Sequence, residues 1–187
     1  MIDYTLPKTV EVAGKDLAIR YDYRAILDCI SILNADDLDD RERYMAIMEV
    51  FYEKPEEIEN YEEAIKKAFD FIAYGSEKKN TEEKPFMDWE KDFKYIISAV
   101  NALHGYDLRG VKDYHWWSFL GDISEIDKDC PWCQIMSIRT KKNNGKDLEK
   151  YEKEFYYKHK DEIDLPVRLS KEENDAIPEW VRGVLNG

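Results

Sequence analysis

The pattern of apolar and polar residues along the chain changes once, near the N-terminus, from a period of two to a period close to 3.6. Apolar residues first alternate with polar ones on either side of Gly14, at Val10 and Val12 and then at Leu17 and Ile19. Such alternation around a glycine turn is typical of a β-hairpin with one buried face. We therefore predict a small N-terminal β-hairpin within residues 1–21.

From residue 22 onward, apolar residues recur at spacings of three and four, which places them on one face of an amphipathic helix. The successive stripes begin at Ile26, Tyr44, Ile65, Phe93, Trp116, Trp132 and Leu148, with a short last stripe at Ile177. Residues 76–86 carry almost no apolar groups and contain a proline, which predicts a mobile loop or linker. The pattern as a whole predicts a mainly α protein, a single multi-helix globular domain over residues 1–187 with about seven or eight helices after the hairpin.

Residue types typical of helix ends occur at the boundaries of these predicted helices. Residues 36–40 hold four aspartates, which suit the start of the second helix because they cap free N–H groups and complement the helix dipole. Gly75 and Gly105 are placed to end the third and fourth helices. Three further signals are Asp113 as the cap of the fifth helix, Pro131 as the first residue of the sixth, and a capping box at residues 170–173 before the last stripe.

The composition is that of a folded and strongly acidic protein. Hydrophobic residues make up 43% and aromatic residues 13% of the 187 positions, and disordered chains lack such groups. The 41 acidic residues outnumber the 28 basic ones and give a net charge of −13. A phosphate backbone or an anionic membrane surface repels such a charge, so we expect neither nucleic acid nor a membrane as a partner.

The compartment follows from features that the chain lacks. No apolar run approaches the ~20 residues of a membrane-spanning helix, and the N-terminus has no basic region followed by an apolar stretch. The cysteines number three, an odd count that does not suggest a secreted disulfide scaffold. We therefore expect a cytoplasmic protein.

The charge is distributed unevenly along the chain. Residues 34–63 hold twelve acidic and three basic residues, a net charge of −9, whereas residues 141–160 hold seven lysines and four acidic residues, a net charge of +3. Cations are stabilised near helix C-termini by the helix dipole, and we favour this explanation of the basic stretch. The alternative is attraction between the two regions, within one chain or between the subunits of a homo-oligomer.

Two features are candidate partner-binding surfaces, and together they comprise Trp116, Trp117, Phe119, Arg139, Lys141 and Lys142. On a helix, Trp116 and Phe119 share a face while Trp117 points about 100° away, so burying both Trp residues requires contacts on two sides. This cluster belongs to the core or to a partner surface, where Trp is enriched, and the core is favoured for most of it. The second feature is the basic patch around Arg139.

The pair Cys130 and Cys133 is the sharpest local motif. In a redox protein the first Cys lies at a helix N-terminus, where the dipole lowers its pKa, and the second resolves a mixed disulfide. The residues before Cys130 are acidic and turn-like rather than strand-like, and acidic neighbours raise a thiol pKa. Zinc would need two further ligands, which are scattered singly in the sequence. A structural role is favoured, and an intracellular thiol-redox or metal-binding protein is the alternative.

The chain contains no P-loop, no glycine-rich dinucleotide fingerprint and no helix with paired histidines for zinc. We therefore assign no catalytic, cofactor-binding or metal-binding residues and no cofactor. The expected function is non-enzymatic binding of another protein.

Three stretches carry a recognisable pattern: His115-Trp116-Trp117-Ser118-Phe119-Leu120, Ile135-Met136-Ser137-Ile138-Arg139-Thr140-Lys141-Lys142 and Tyr151-Glu152-Lys153-Glu154-Phe155-Tyr156. They resemble the bacteriophage gene product fifteen family of tailed phages and prophages of Gram-positive bacteria. The hairpin and Tyr21-Asp22-Tyr23-Arg24 are consistent with this resemblance, which covers nearly the whole chain. The cysteine pair is not part of the family pattern.

The resemblance implies a protein of the tail-morphogenesis region without established activity and without catalytic residues to carry over. The implied role is a tail assembly chaperone in the host bacterial cytoplasm. Its partner is then the tape measure protein, held soluble until tail tube subunits polymerise, and the tail tube protein is a further possible partner. A structural component of the virion tail is the other role that the resemblance leaves open.

Overall fold

The computed structural model describes residues 5–74 and 85–165, which form a two-stranded hairpin and eight α-helices. The strands are β1 (Thr9–Val12) and β2 (Lys15–Ala18). The helices are α1 (Tyr23–Leu33), α2 (Asp40–Phe51), α3 (Tyr61–Ile72), α4 (Trp89–His104), α5 (Trp116–Ser124), α6 (Pro131–Asn143), α7 (Lys150–Lys158) and α8 (Lys160–Ile163), and single 3-10 turns lie at Pro55–Glu57 and Leu108–Gly110. The predicted mainly α fold with an N-terminal hairpin is confirmed.

The hairpin closes through a tight turn at Ala13 and Gly14. The strands pair antiparallel from Thr9 opposite Ala18 to Val12 opposite Lys15. Both turn residues have positive φ, 51° and 76°, which is the geometry that matches the twist of two-residue hairpins. The Ala13 amide donates to a Glu63 carboxylate oxygen at 3.0 Å, so the turn is held against the start of α3.

Local capping residues explain most helix boundaries. Asp39 caps α2 in a capping box with Glu42, within the predicted aspartate stretch, and Gly105 ends α4 in the left-handed conformation. Pro131 is the first residue of α6, as predicted. The prediction for α5 was wrong, because His115 rather than Asp113 caps this helix.

The apolar stripe predicted for α7 is only partly correct. Leu148 and Phe155 pack against the small part of the core, but Tyr151 is 65% exposed and Glu152 is buried. The reason is an ion pair, since Lys141 of α6 lies 2.6 Å from the Glu152 carboxylate. The predicted stop at Gly75, most of the predicted loop over residues 76–86, and the last capping box and stripe at residues 170–184 lie outside the described residues.

The core has a large and a small part. The large part is built by the hairpin, α1 to α5 and the first turn of α6, and α1 packs against α2, α4 and α5. The small part joins α6 to α8 through Ile135, Ile138 and Ile163. The predicted helical stripes supply most of these core residues, including Ile26, Ile47, Ala68, Ile96 and Phe119.

Candidate protein-binding groove

An open groove lies between α1 and the first turns of α4. Its apolar wall consists of Leu27 and Ile30 of α1 and Trp89 and Phe93 of α4, and its volume is about 300 Å³. All four side chains are only partly buried, so the groove offers apolar surface to a partner. A cavity of this size lies at the lower end of the range for ligand-binding sites, and it is large enough for apolar side chains of a docked segment.

The groove exists because α1 carries two stripes. One stripe, which includes Tyr23, Ile26 and Cys29, is buried in the core. The second, with Arg24, Leu27, Asp28 and Ser31, is displaced from the first by about one residue and faces the groove. A helix that buries one side in the core thus exposes a mixed apolar and polar side to a neighbour.

Core aromatic residues support the groove wall from behind. The Trp89 ring lies 5.5 Å from the Trp116 ring, and the Phe93 ring stacks on Tyr23 with centroids 6.5 Å apart. Trp116 and Tyr23 are fully buried. The shape of the groove therefore depends on residues that a bound partner does not touch.

The rim of the groove is polar and mainly acidic. The Ser31 hydroxyl donates to the Glu90 carboxylate across the groove, and the other polar residues on the rim are Arg24, Asp28, Asn34 and Asp88. Three carboxylates against one guanidinium, in a chain of net charge −13, favour a partner whose apolar residues are flanked by basic or neutral side chains.

The segment before α1 is joined to the segment before α5. Asp22 caps α1 and also accepts a hydrogen bond from the Tyr114 amide at 2.9 Å. Burial raises the pKa of Asp22, but the hydrogen bonds from Arg24 and Tyr114 outweigh it and lower that pKa below its ordinary value. The two stretches thus pack side by side although about 90 residues separate them.

The aromatic residues proposed as a partner surface take different positions. Trp116 and Phe119 are buried, with 1% and 0% exposure, so a partner that docks on this fold contacts neither. Trp117 is half-buried, and its indole stacks on Phe71 with ring centroids 5.2 Å apart. The two indole N–H groups donate to successive carbonyls at the end of α3, Trp116 to Ile72 at 2.9 Å and Trp117 to Phe71 at 3.0 Å.

Arg139, proposed as part of a basic patch, is also a core residue with 3% exposure. Its guanidinium forms a two-pronged ion pair with the fully buried Asp92 of α4, at 2.6 and 2.9 Å. It also donates to the carbonyls of Ile163 and Glu162 in α8, at 2.6 and 2.8 Å. Arg139 therefore joins α4, α6 and α8 and has no free surface for a partner.

The two lysines of the same patch are engaged at the surface. Lys141 pairs with the buried Glu152 of α7, and Lys142 pairs with Asp164 and lies over the Tyr156 ring. The hydrogen bond from Lys141 and the capping bond from the Glu149 amide lower the pKa of Glu152. Both lysines hold the C-terminal helices together, and Lys142 keeps an exposed side chain.

The cysteine pair has a structural position. The Cys130 sulfur accepts a hydrogen bond from the Cys133 amide at 3.4 Å, so it acts as the N-cap of α6. All three cysteines are free thiols. Burial, with Cys130 and nearby aspartates, raises the pKa of Cys133 to about 11, and burial raises that of Cys29 to about 12. These shifts disfavour the thiolate forms of Cys133 and Cys29 themselves.

His115 caps α5 in its neutral form. Its Nδ1 accepts the Trp117 amide at 3.1 Å, and its Nε2 is 2.9 Å from the Pro7 carbonyl oxygen, so Nε2 carries the proton. The imidazole stacks on Tyr21 and is 5% exposed. Burial lowers the pKa of His115 below its ordinary value of 6.5, and the nearby Lys8 adds to this effect.

We expect acid to weaken the fold through His115. Because the neutral form is favoured in the fold, its contribution is fully present above the unfolded-state pKa and is lost as pH falls through the lower folded-state pKa. Protonation of Nδ1 removes the cap, which is worth about 0.5–2 kcal/mol. The measurement is the free energy of unfolding from urea titrations at a series of pH values, from above the ordinary pKa of 6.5 down through the lower folded-state pKa. His115→Asn keeps a capping oxygen without titrating, so its stability should fall less; an identical pH profile would contradict the assignment.

The described residues give two further findings. None of the helices within residues 5–74 and 85–165 combines the length and the apolar character needed to cross a membrane. The same described residues contain no group of three or more His, Cys, Asp and Glu side chains placed to hold a metal ion.

The fold and the groove together define the class of this protein, a mainly α domain with an open apolar groove between two of its helices. Comparison with protein families narrows this class, because the family model described as Bacteriophage Gp15 protein matches residues 2–165. The chain belongs to this family and is therefore a phage protein. No curated protein and no solved structure matches it. The family is not a known enzyme family.

Proposed function

We propose that this phage protein is a tail assembly chaperone whose α1/α4 groove binds apolar segments of the tape measure protein in the host bacterial cytoplasm. The observation that carries the proposal is the groove itself, an apolar wall of four half-buried side chains contributed by two helices. Membership of the family provides the phage context. The role is non-enzymatic and needs no cofactor.

The proposed partner fits the groove by its chemistry. A tape measure helix exposes apolar stripes before the tail tube surrounds it, and an amphipathic helix binds a groove through anchors spaced at i, i+3, i+4 and i+7. The groove, bounded by helices on two sides, provides room for such anchors. Its acidic rim, with Asp28, Asp88 and Glu90, favours lysines or arginines beside them.

The net charge suits the same role. A chaperone that covers apolar segments must keep the complex soluble, and a net charge of −13 opposes aggregation of such complexes. A chaperone is released before the particle is complete, so mature particles should lack the protein, whereas a structural tail component would be retained and detected there by mass spectrometry.

Co-expression with the tape measure protein of the same phage tests this function. We expect the soluble fraction of the tape measure protein to rise several-fold in the presence of this protein, and Leu27→Glu to abolish most of the gain because it places a charge in the apolar groove. Leu103→Glu is the matched control, since Leu103 is 48% exposed on α4 outside the groove. Equal solubility with and without the protein would contradict the proposal.

A further inference from the structure

A second pocket lies within the acidic stretch of residues 34–63, where α2 meets the 3-10 turn at Pro55–Glu57 and the start of α3. Its volume is about 220 Å³, and its floor is formed by the buried Met48 and Ile58. Met45 and Tyr61 form an apolar rim with 46% and 53% exposure. We call this site the methionine pocket.

Two carboxylates border the methionine pocket. Glu49 of α2 and Glu56 of the 3-10 turn both line it, and both are exposed. Neither forms a salt bridge with any described residue, whereas the neighbouring Glu57 pairs with Lys15 and Lys54. The pocket thus combines an apolar floor with two exposed carboxylates, of which Glu56 also interacts electrostatically with Lys54, whose salt bridge is to Glu57.

The exposed face of α7 has the complementary composition. Tyr157 is 76% exposed, the largest value among the exposed large hydrophobic side chains of the described residues. Lys150 and Lys153 precede it by seven and four residues, so all three lie on one face of the helix, together with the exposed Glu154, and this face carries a net positive charge. Both lysines are exposed, and neither forms a salt bridge among the described residues.

The two surfaces do not neutralise each other within one chain. Within the described residues, every salt bridge made by residues 34–63 is to another residue of that stretch or to Lys15. In the same described part of the chain, the basic residues of the stretch 141–160 pair only with Glu152, Glu162 and Asp164. Among the described residues, no salt bridge joins the region of net charge −9 to the region of net charge +3. The attraction between these regions is therefore available to a second molecule.

We propose that the methionine pocket of one copy of this protein binds the Tyr157 face of α7 of a second copy. The tyrosine ring enters the pocket between Met45 and Tyr61, and the lysines lie near Glu49 and Glu56. Tyrosine suits this position because it buries a large apolar ring and keeps a hydroxyl for a polar neighbour. The contact joins two different surfaces, so each copy has one free pocket and one free α7 face for further copies.

The test is sedimentation velocity of the purified full chain over a range of concentrations. At about 0.15 M salt, which screens the long-range repulsion between two molecules of net charge −13 more than it screens close ion pairs, we expect the average mass to rise with concentration. Tyr157→Ala, and separately Glu49→Lys combined with Glu56→Lys, should each weaken the association by about tenfold or more. A chain that stays monomeric at all concentrations at this ionic strength would overturn the proposal.

Mixing the two variants provides the sharper test. The Tyr157→Ala chain keeps its pocket and the double lysine chain keeps its tyrosine, so the mixture should form one contact per pair and associate more strongly than either variant alone. Tyr151→Ala, on another face of α7, and Asp37→Lys, an exposed acid outside the pocket, are matched controls and should behave as the unmodified protein. A mixture no heavier than its components would also overturn the contact. None of these outcomes depends on the tape measure protein.

Discussion

Replacing Arg139 with Ala is expected to lower the free energy of unfolding by about 3–5 kcal/mol, because it breaks a buried ion pair by removing one partner. Asp92, with 0% exposure, would keep its charge in the core without its partner. The carbonyls of Ile163 and Glu162 would lose their donors at the same time. Urea denaturation of the purified variant, followed by circular dichroism, measures the change.

The control for Arg139 is another cation on the same helix. Lys142→Ala removes an ion pair whose members are about one-third exposed, and exposed pairs contribute about 0–1 kcal/mol. The double variant Arg139→Ala with Asp92→Ala should be less destabilised than the sum of the single variants, because neither charge is left alone. Similar small losses for Arg139→Ala and Lys142→Ala would show that the buried pair does not hold α4, α6 and α8 together.

Trp116→Ala is expected to destabilise the protein by about 3–5 kcal/mol, the range for a large aromatic residue removed from a core. The indole is 1% exposed, contacts the rings of Trp89 and Phe119, and donates to the Ile72 carbonyl. Its removal leaves a cavity behind the groove wall. The groove should therefore lose its shape even under conditions in which the variant remains folded.

Trp117→Ala provides the comparison, because the adjacent indole makes a similar hydrogen bond but is half-buried. We expect a smaller loss of about 1–2 kcal/mol, since less apolar surface returns to water. Thermal unfolding followed by the near-ultraviolet signal of the aromatic residues compares the two variants. An equal loss for Trp117→Ala would contradict the assignment of Trp116 alone to the core.

The parts of the fold that sequence patterns predicted correctly are those controlled by neighbours in the chain. The hairpin follows from alternation around Gly14, and the start of α2 follows from an aspartate three residues before Glu42. Gly105 ends α4 because the left-handed conformation suits glycine. Each of these signals lies within a few residues of the structure that it determines.

The errors arise where distant residues decide the outcome. His115 caps α5 although Ser, Thr, Asp and Asn are the usual caps, because Pro7, 108 residues away, holds the imidazole in place. Glu152 is buried because Lys141 neutralises it. Arg139 was placed in a basic surface patch, yet it follows Ile135 and Ile138 at spacings of four and one and pairs with Asp92, 47 residues away.

The groove was not predicted for a related reason. Its residues on α1 form a mixed stripe beside the buried one, and a mixed stripe has the composition of an ordinary solvent-exposed face. Only the position of α4 turns Leu27 and Ile30 into one wall of a groove. The sole signal in the local sequence is a Leu beside the apolar stripe, and many surface helices share it.

The proposal that the α1/α4 groove binds the tape measure protein is tested most directly by hydrogen exchange on the isolated complex of the two proteins. The expected result is slower amide exchange in Tyr23–Leu33 and in the first turns of Trp89–His104 than in the free protein, with a reduced yield of complex for Leu27→Glu and an unchanged yield for Leu103→Glu. Failure to form a complex, or a complex in which exchange of both helices is unchanged, would contradict it.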